Sequence, residues 1–392
     1  MSLIDDLKAI QPEMTEWRRD IHKHPETAFE EVRTADKVAE LLEGFGMEVH
    51  RGLAKTGVVG SLKAGTGNRA IGLRADMDAL DLTELNTFDH ASVNDGKMHA
   101  CGHDGHTAML LGAACHLSRN PDFDGTVHFI FQPAEENLAG GRVMVQEGLF
   151  ERFPVEAVYG MHNWPGMEIG TFAVREGPMM ASADFFELTL TGRGGHGAYP
   201  HMSRDPVLAA AHIITAWQSI VARNVDPMKA AVISATEIKS GFTGNVIPET
   251  AYIQGTTRTF DPKVQDLVEE RMRAIATSMA EGFGMTAEFD YQRRYCPTIN
   301  SAEETGHAIA AATAVVGADR VNTNVTPHMG AEDFGWMLQA RPGCYIFTGN
   351  GTGGQGGCEV HNPNYDFNDN ALPVGAAYWV QLVQMQLPQK AA

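Results

Sequence analysis

Short apolar runs alternate with amphipathic helical patterns along most of this chain, and this alternation constrains its fold more than any other feature. The apolar runs have the length of about 4–8 residues that is typical of buried strands. Strands that alternate with helices favour an α/β fold with a mostly parallel central sheet. The predicted strands are Gly57–Leu62, Ala70–Ala75, Thr126–Gln132, Ala157–Met161 and Cys344–Thr348. The predicted helices include Glu30–Phe45, His106–Leu117, Gly141–Leu149, Thr305–Val316 and Asn370–Met385.

The pattern changes over residues 183–289, where the predicted order is β-α-β-β-α-β. That order matches the ferredoxin-like plan. Asp205 and Asp261 each precede a proline and mark the starts of the two helices, with Asp205 as the predicted N-cap of the first. We therefore predict an inserted α+β domain over 183–289, which divides the α/β domain into residues 1–182 and 290–392. The predicted elements of the insert are Asp184–Thr191, Pro206–Ala222, Ala230–Lys239, Thr250–Arg258, Pro262–Phe283 and Thr286–Phe289.

Composition excludes several classes of protein. The formal charge of −19, from 30 Lys+Arg and 49 Asp+Glu, argues against a nucleic-acid partner, because phosphate binding calls for a basic face. No uncharged apolar run approaches the ~18 residues of a membrane span, and the N-terminal residues do not predict a signal peptide. Five Cys in 392 residues do not make a disulfide framework, so we expect a reducing cytoplasm.

Polar side chains with metal-ligand or acid–base chemistry follow three of the predicted strands. Asp78 follows Ala70–Ala75, the pair Glu135-Glu136 follows Thr126–Gln132, and His162 follows Ala157–Met161. In open α/β sheets, ligands bind beyond the carboxyl ends of the strands. The sequence therefore predicts a polar site at that edge of the sheet.

Cys101 and His103 lie two residues apart around Gly102, just before a predicted helix. This spacing allows both side chains to reach one ion, and thiolate and imidazole suit Zn²⁺ and other transition metals. One alternative is a buried structural cysteine beside a solvent-facing histidine. A second alternative is a Cys–His nucleophile pair, which leaves the other acidic and histidine residues without a role.

Glu135 and Glu136 are adjacent carboxylates that point in different directions. One of them can bind a metal while the other takes a proton from a neighbouring water, as metal-assisted hydrolysis requires. The alternative is a solvated acidic loop.

His162 and His361 are single residues, for which a structural role is the commoner one. His361 is followed by Asp366, which we predict to orient it. We predict that His22 is structural.

The motifs together resemble the M20 metallopeptidase clan, in particular its branch of N-acyl-amino-acid amidohydrolases. That branch includes hippurate hydrolases, bacterial aminoacylases and plant hydrolases of auxin–amino acid conjugates. The resemblance covers nearly the whole chain, and its most specific segment is MHACGHDGHT at residues 98–107. Further matching segments are RADMDAL at 74–80, QPAEE at 132–136, MHN at 161–163, GGHGAYPH at 194–201, NVIPE at 245–249, GAEDF at 330–334 and HNP at 361–363.

The resemblance implies a site for two divalent metal ions, Zn²⁺ or Mn²⁺, with Co²⁺ or Ni²⁺ as further candidates. Cys101 resembles the ligand that bridges the two ions. His103 and His162 are then expected to serve one ion, and Glu136 and His361 the other. Glu135 is the expected general base, and Asp78 is expected to orient a ligand. The ions supply an activated water and polarise the amide carbonyl.

The resemblance also implies that the inserted domain is a lid that dimerises, giving a homodimer or homotetramer. His196 resembles a residue that stabilises the tetrahedral oxyanion, often in the site of the neighbouring subunit. Asn245 and Arg258 resemble substrate-binding positions, and Arg258 suits the free carboxylate of an N-acyl amino acid. The alternatives are a turn residue for His196 and a surface charge for Arg258.

The expected function is therefore metal-dependent hydrolysis of the amide bond of N-acyl-L-amino acids, either hippurate-like or N-acetylated, to a carboxylic acid and a free amino acid. The partner is a small-molecule substrate, with no nucleic acid and no membrane involved. Three alternatives remain open. The chain fits a dipeptidase or carboxypeptidase of the same clan, a non-catalytic binding protein on this scaffold or, more distantly, a cysteine hydrolase. Glu135 and Glu136 together argue against a binding protein, because a protein that only binds needs no base.

Overall fold

The computed structural model describes residues 3–389 of the chain. The chain divides into two compact units, each with its own hydrophobic core. The first unit contains the chain up to Met179, Ile299–Thr326 and the chain from Asp333 onward. The second unit contains Met180–Thr298 and Pro327–Glu332.

The helices and strands have the following bounds in chain order. The helices are α1 (Leu3–Ala9), α2 (Gln11–Lys23), α3 (Val32–Gly44), α4 (His103–Arg119), α5 (Glu135–Leu138), α6 (Gly140–Gln146), α7 (Leu149–Arg152), α8 (Pro206–Arg223), α9 (Pro262–Gly282), α10 (Ala302–Val316), α11 (Gly335–Ala340) and α12 (Leu372–Gln386). The strands are β1 (Glu48–Leu53), β2 (Gly57–Ala64), β3 (Ala70–Asp76), β4 (Gly125–Gln132), β5 (Ala157–Pro165), β6 (Phe172–Ala173), β7 (Gly177–Met180), β8 (Ala183–Thr191), β9 (Gly195–His196), β10 (Ala231–Ser240), β11 (Val246–Ile247), β12 (Thr250–Thr259), β13 (Thr286–Tyr295), β14 (Thr298–Asn300), β15 (Val321–Asn322) and β16 (Gly343–Gly351).

The first unit is built on a sheet with the strand order β1-β2-β4-β3-β5-β16-β6-β15. Its central strands β4, β3, β5 and β16 are parallel to one another. Antiparallel pairs flank this centre, with β1 on β2, β2 on β4 and β6 on β16. The parallel part brings the carboxyl ends of β3, β4 and β5 to one edge, as the sequence predicts.

Helix α4 is buried along nearly its whole length and packs against α2 and α12. An apolar helix that is covered on all sides cannot slide or rotate without opening the core. Its first residue, His103, is therefore held in a fixed position. The sequence predicts this helix from His106, and the structure begins it one turn earlier, directly after Gly102.

The second unit has the element order β8-α8-β10-β12-α9-β13, with an antiparallel sheet in the order β10-β12-β8-β13. The predicted N-cap is confirmed, because the Asp205 carboxylate accepts hydrogen bonds from the backbone N–H groups of Val207 and Leu208. The unit extends past the predicted range 183–289, since β13 pairs with β8 as far as Tyr295. No helix between residues 3 and 389 is both long and apolar enough to cross a membrane.

Candidate metal centre

Five side chains with metal-ligand chemistry form two overlapping groups in the first unit. Within each group the ligand atoms lie within 4.8 Å of one another, and Cys101 belongs to both. The first group is Cys101, His103 and His162, and the second is Cys101, Glu136 and His361. The structure thus brings together all five side chains that the sequence predicts as metal ligands. This arrangement allows Cys101 to face two ions at once.

Backbone geometry at Gly102 places Cys101 and His103 on either side of a tight turn. Gly102 has a φ of +91°, in the left-handed region that favours glycine. A side chain there would also clash with the amide of Asn163 and the hydroxyl of Tyr365. Only glycine fits this position, so the spacing of the two ligands depends on it.

The pair of glutamates forms the start of the single-turn helix α5, which is separated from the end of β4 by Pro133 and Ala134. The flanking residues Ala134 and Ala139 both have positive φ, at 53° and 51°. Such conformations are uncommon for alanine and cluster at functional sites. The turn directs Glu135 and Glu136 differently. The backbone N–H of Glu136 donates to Asp78 Oδ2 at 2.9 Å, and Glu135 Oε1 accepts from the backbone N–H of Asp333 at 3.3 Å.

The two buried imidazoles are oriented through their Nδ1 atoms. His103 Nδ1 lies 2.9 Å from the carbonyl oxygen of Asp78 and 3.1 Å from its carboxylate. His162 Nδ1 lies 2.6 Å from the carbonyl oxygen of Asn163. Both contacts make Nδ1 the donor, so Nε2 is the ring nitrogen that remains for a metal ion. His162 Nε2 lies 3.4 Å from Cys101 Sγ. This is how ligating histidines are usually held.

His361 reaches the same place from a loop late in the chain. Its φ is +61°, and its backbone N–H donates to the carbonyl oxygen of Ala100 at 2.7 Å. Its Nε2 lies 3.1 Å from Glu136 Oε1. The His361 side chain is 52% exposed, whereas that of Glu136 is 8% exposed, so His361 lies at the rim of the cluster and Glu136 lies inside it.

The electrostatics of the cluster are those of a cation site. Burial raises the pKa of the Cys101 thiol well above its ordinary value, and the carboxylates of Glu136 and Glu135 add to this. Burial alone lowers the pKa of His103, but Asp76, Asp78 and Glu136 outweigh it and raise that pKa to about 10. The carboxylates thus concentrate negative potential where the ligand atoms converge.

The donor set fits divalent metal ions. His103 Nε2 is buried without a hydrogen-bond partner, although a buried polar atom is normally paired. It faces a thiol, further imidazoles and a carboxylate, which together match the preferences of Zn²⁺ and related ions. An ion bound by these residues would account for the unpaired atom and would stabilise Cys101 as a thiolate.

A second layer of contacts around the cluster includes residues to which the sequence assigned no role. Asp76 Oδ1 lies 2.6 Å from His106 Nδ1, and His106 Nε2 accepts the backbone N–H of Asn163 at 2.8 Å. Asn163 in turn donates from Nδ2 to the carbonyl oxygen of Cys101 at 2.6 Å. The position of Asp76 at the end of β3 is the one sequence signal that it belongs near the site. Its hydrogen-bond partners depend on tertiary structure and cannot be predicted from the sequence.

Asp366 does not orient His361 as predicted. Its carboxylate contacts Arg18 at 2.8 Å, His90 at 3.1 Å and Gln355 at 2.8 Å. His361 has a left-handed backbone, and its Nε2 contacts Glu136 instead.

The remaining predicted site residues lie in the second unit. His196 on β9 is paired with Val246 on β11, and the backbone N–H of Gly197 donates to the carbonyl oxygen of Asn245 at 2.8 Å. His196 and Asn245 are therefore neighbours on one exposed ribbon. Arg258 lies half-buried on β12, in a different sheet, where its guanidinium donates to Thr256 and Thr257.

Residues 72–385 match the peptidase family M20/M25/M40, and the chain belongs to that family. This confirms the resemblance drawn from the motifs. Among its relatives is the hippurate hydrolase of Campylobacter jejuni, 39% identical over 97% of this chain and 98% of that protein. The N-acetylcysteine deacetylase of Bacillus subtilis is 40% identical over 97% of this chain and 98% of that protein. Thermostable carboxypeptidase 2 of Saccharolobus solfataricus is 38% identical over 96% of this chain and 97% of that protein.

Solved structures agree with this assignment. A Bacillus subtilis protein described as a dinuclear metal binding peptidase from the M20 family superposes with a TM-score of 0.84 at 36% identity. The match covers 97% of this chain and 99% of that one. The fold is therefore shared over both units, and a mixed α/β architecture with a large, mostly parallel sheet is confirmed.

Proposed function

We propose that this protein is a metal-dependent amidohydrolase that cleaves N-acyl-L-amino acids to a carboxylic acid and a free amino acid. One observation carries the proposal. A cluster of thiol, imidazole and carboxylate ligands, buried except for His361 at its rim, has a second carboxylate, Glu135, beside it. Membership of a peptidase family and similarity to a hippurate hydrolase support amide hydrolysis as its chemistry.

Cys101 is proposed to bridge two ions, with His103 and His162 on one and Glu136 and His361 on the other. The ions are Zn²⁺ or Mn²⁺, with Co²⁺ and Ni²⁺ as further candidates, because this donor set accepts all four. When bound, they lower the pKa of a coordinated water and polarise the amide carbonyl.

Glu135 is the proposed general base. Its side chain is buried and belongs to the group formed by His103, Glu135 and Glu136. The hydrogen bond from the backbone of Asp333 fixes one of its oxygens. A fixed carboxylate beside the ions takes a proton from the attacking water and returns it to the departing amine. Asp78 holds both His103 and the backbone of Glu136, so it orients a ligand of each ion.

The second unit is proposed to be a ferredoxin-like lid that completes substrate binding. His196 stabilises the oxyanion, and Asn245 and Arg258 bind the substrate. The Arg258 guanidinium is a suitable partner for the free carboxylate of an N-acyl amino acid. Because the protein carries a net charge of −19, a local cation is needed to hold an anionic substrate.

The direct test is a panel of N-acyl amino acids that includes hippurate and N-acetyl-L-amino acids. Released amino acid and bound metal are measured on the same sample. We expect two ions per chain, loss of activity on exhaustive chelation, and recovery with Mn²⁺, Zn²⁺, Co²⁺ or Ni²⁺. Activity that survives complete removal of metal contradicts the proposal.

A carboxypeptidase is the second candidate, because a relative named thermostable carboxypeptidase is 38% identical over nearly the whole chain. Both activities act on an amide next to a free carboxylate, so they differ only in the acyl half. Peptides with an additional residue on the N-terminal side distinguish them. Faster cleavage of a blocked dipeptide than of the matching N-benzoyl or N-acetyl amino acid favours the carboxypeptidase.

Self-association through the second unit is also proposed, as a homodimer or homotetramer. Large apolar side chains on that unit are exposed, including Ile238 at 58% and Phe242 at 89%. Ile238 lies on β10, an edge strand whose free hydrogen-bonding side can pair with another copy. Sedimentation of the unaltered protein and of Ile238→Lys tests this, and a monomer in both overturns it.

All five cysteines are free, consistent with the reducing cytoplasm we propose.

A further inference from the structure

The side chain of Arg18 on helix α2 is completely buried and contacts carboxylates from two separate parts of the first unit. Its Nη1 lies 2.8 Å from Asp366 Oδ1 and 3.5 Å from Asp104 Oδ2. Its Nε donates to Asp369 Oδ1 at 2.8 Å. Such a buried guanidinium is retained only where several acceptors surround it, because leaving water is costly for a charge.

The two parts that Arg18 joins each carry predicted metal ligands. Asp104 is the residue after His103, in the first turn of α4. Asp366 lies in the loop that begins with His361, and this loop bonds back through His361 N–H to Ala100. Among the described residues, neither carboxylate belongs to a group of converging ligand atoms. Their contacts to Arg18 instead hold the segments on which the ligands sit.

His22, one helical turn after Arg18, strengthens the same arrangement. Its Nδ1 lies 2.9 Å from Asp104 Oδ2, and its Nε2 lies 3.2 Å from Glu84 Oε1. Burial lowers the pKa of His22, but Asp104 and Glu84 outweigh it and raise that pKa to about 9. Asp104 is therefore held by two cations from one helix, and the start of α4 is fixed against α2.

The neighbouring arginine provides a contrast on the same helix. Arg19 binds the other oxygen of Asp369 at 2.8 Å, but its side chain is 47% exposed. It reaches neither Asp104 nor Asp366. The two adjacent arginines thus share one carboxylate partner, but of the two, Arg18 alone also binds carboxylates from the segments that carry His103 and His361.

We propose that Arg18 is a positioning residue of the metal centre. It sets the separation between the start of α4 and the His361 loop, so that His103 and His361 reach their two ions on either side of Cys101. The inference rests on the proposed two-ion centre. If Arg18 is lost, Asp104 keeps its contact to His22 and Asp366 keeps those to His90 and Gln355, but the one guanidinium that binds both carboxylates is gone. The two ligand segments then lose this link and move apart.

The test measures metal affinity rather than activity. The unaltered protein, Arg18→Lys, Asp366→Asn and the control Arg19→Met are stripped of metal, checked for folding by circular dichroism, and titrated with Zn²⁺ against a chromogenic chelator. Residues that act through a ligand usually change metal affinity by about 10–100-fold. We expect Arg18→Lys to weaken binding within that range, because an ammonium group cannot reach both carboxylates at once. Asp366→Asn should weaken the binding of only one of the two ions. Arg19→Met should bind Zn²⁺ with the same affinity as the unaltered protein.

Three results are decisive. If the unaltered protein binds no Zn²⁺, the proposed function fails and the inference fails with it. If it binds two ions and the folded Arg18→Lys and Asp366→Asn proteins bind both with unchanged affinity, Arg18 is merely structural and the inference alone is overturned, even where the metal-free melting temperature falls. If affinity falls in these two variants but not in Arg19→Met, the inference is supported.

Discussion

Asp78 holds His103 and Glu136 at the same time: one carboxylate oxygen lies 3.1 Å from His103 Nδ1, and the other accepts the backbone N–H of Glu136 at 2.9 Å. Both contacts need an acceptor oxygen. One short side chain therefore couples the orientation of a ligand of the first proposed ion to the position of a ligand of the second.

Asp78→Asn tests this coupling. An amide has only one acceptor oxygen, so one of the two contacts is lost whichever way the side chain turns. We expect metal affinity to fall by about 10–100-fold, measured by competition with a chelator. Asp81→Asn is the matched control, because Asp81 is 68% exposed and contacts Lys97 at 3.3 Å. Equal affinity in the two variants contradicts the role given to Asp78.

Glu135→Gln separates catalysis from metal binding. The amide keeps the size of the side chain and its hydrogen bond from Asp333, but it cannot take up a proton. We expect bound metal to stay unchanged and kcat to fall by about 10²–10⁴-fold, the usual contribution of a general base. The measurement pairs amino-acid release from the best substrate of the panel with metal content. A near-normal rate in the metal-loaded variant means that another group is the base.

Gly102→Ala tests the turn between Cys101 and His103. A left-handed φ and a clash with Asn163 and Tyr365 combine there, so we expect a loss of about 2–4 kcal/mol in the free energy of unfolding of the metal-free protein. Gly46→Ala is the control, because Gly46 has a φ of +82° with open space around it. Backbone strain alone should cost about 1–2 kcal/mol in that variant. Similar losses at both sites, measured by urea unfolding, indicate that the clash is relieved by movement.

His22 gives the metal-free protein a pH-dependent contribution to stability. Its pKa is raised from 6.5 to about 9 in the folded protein. The contribution is therefore complete below about pH 6.5 and is lost as the pH rises toward 9. The shift corresponds to about 3 kcal/mol. Urea unfolding of the unaltered protein and of His22→Gln should differ most at pH 6, and the difference should shrink by pH 9.5. A constant difference across this range contradicts a charged His22.

Local patterns were sufficient to predict the elements that surround the site. The runs Ala70–Ala75 and Thr126–Gln132 became β3 and β4 with almost the same bounds, because both are apolar and buried on both faces. The sequence predicts the start of α4 three residues late, since Gly102 and the histidines after it do not favour a helix by themselves. Packing of the buried helix overrides that preference.

Contacts between distant parts of the chain were beyond the reach of sequence patterns. The five proposed ligands could be named individually, but nothing local indicates that Asp366 turns toward Arg18 rather than His361. The same holds for Asp76 and His106, whose pairing depends on how α4 packs against β3. The short strand β6, which is antiparallel to β16, is too brief to give an alternating pattern.

The division of the first unit by the second affects how the protein is made. Arg18 emerges from the ribosome early, whereas its partner Asp366 lies 348 residues later, after the whole second unit has been synthesised. Until then the N-terminal segment carries a cation with no acceptor from the His361 loop, and the sheet lacks β16. The nascent first unit must therefore remain incomplete for most of translation, which exposes it to chaperones and proteases. A chain truncated before His361 lacks both a proposed ligand and the counter-charge that Asp366 gives to Arg18.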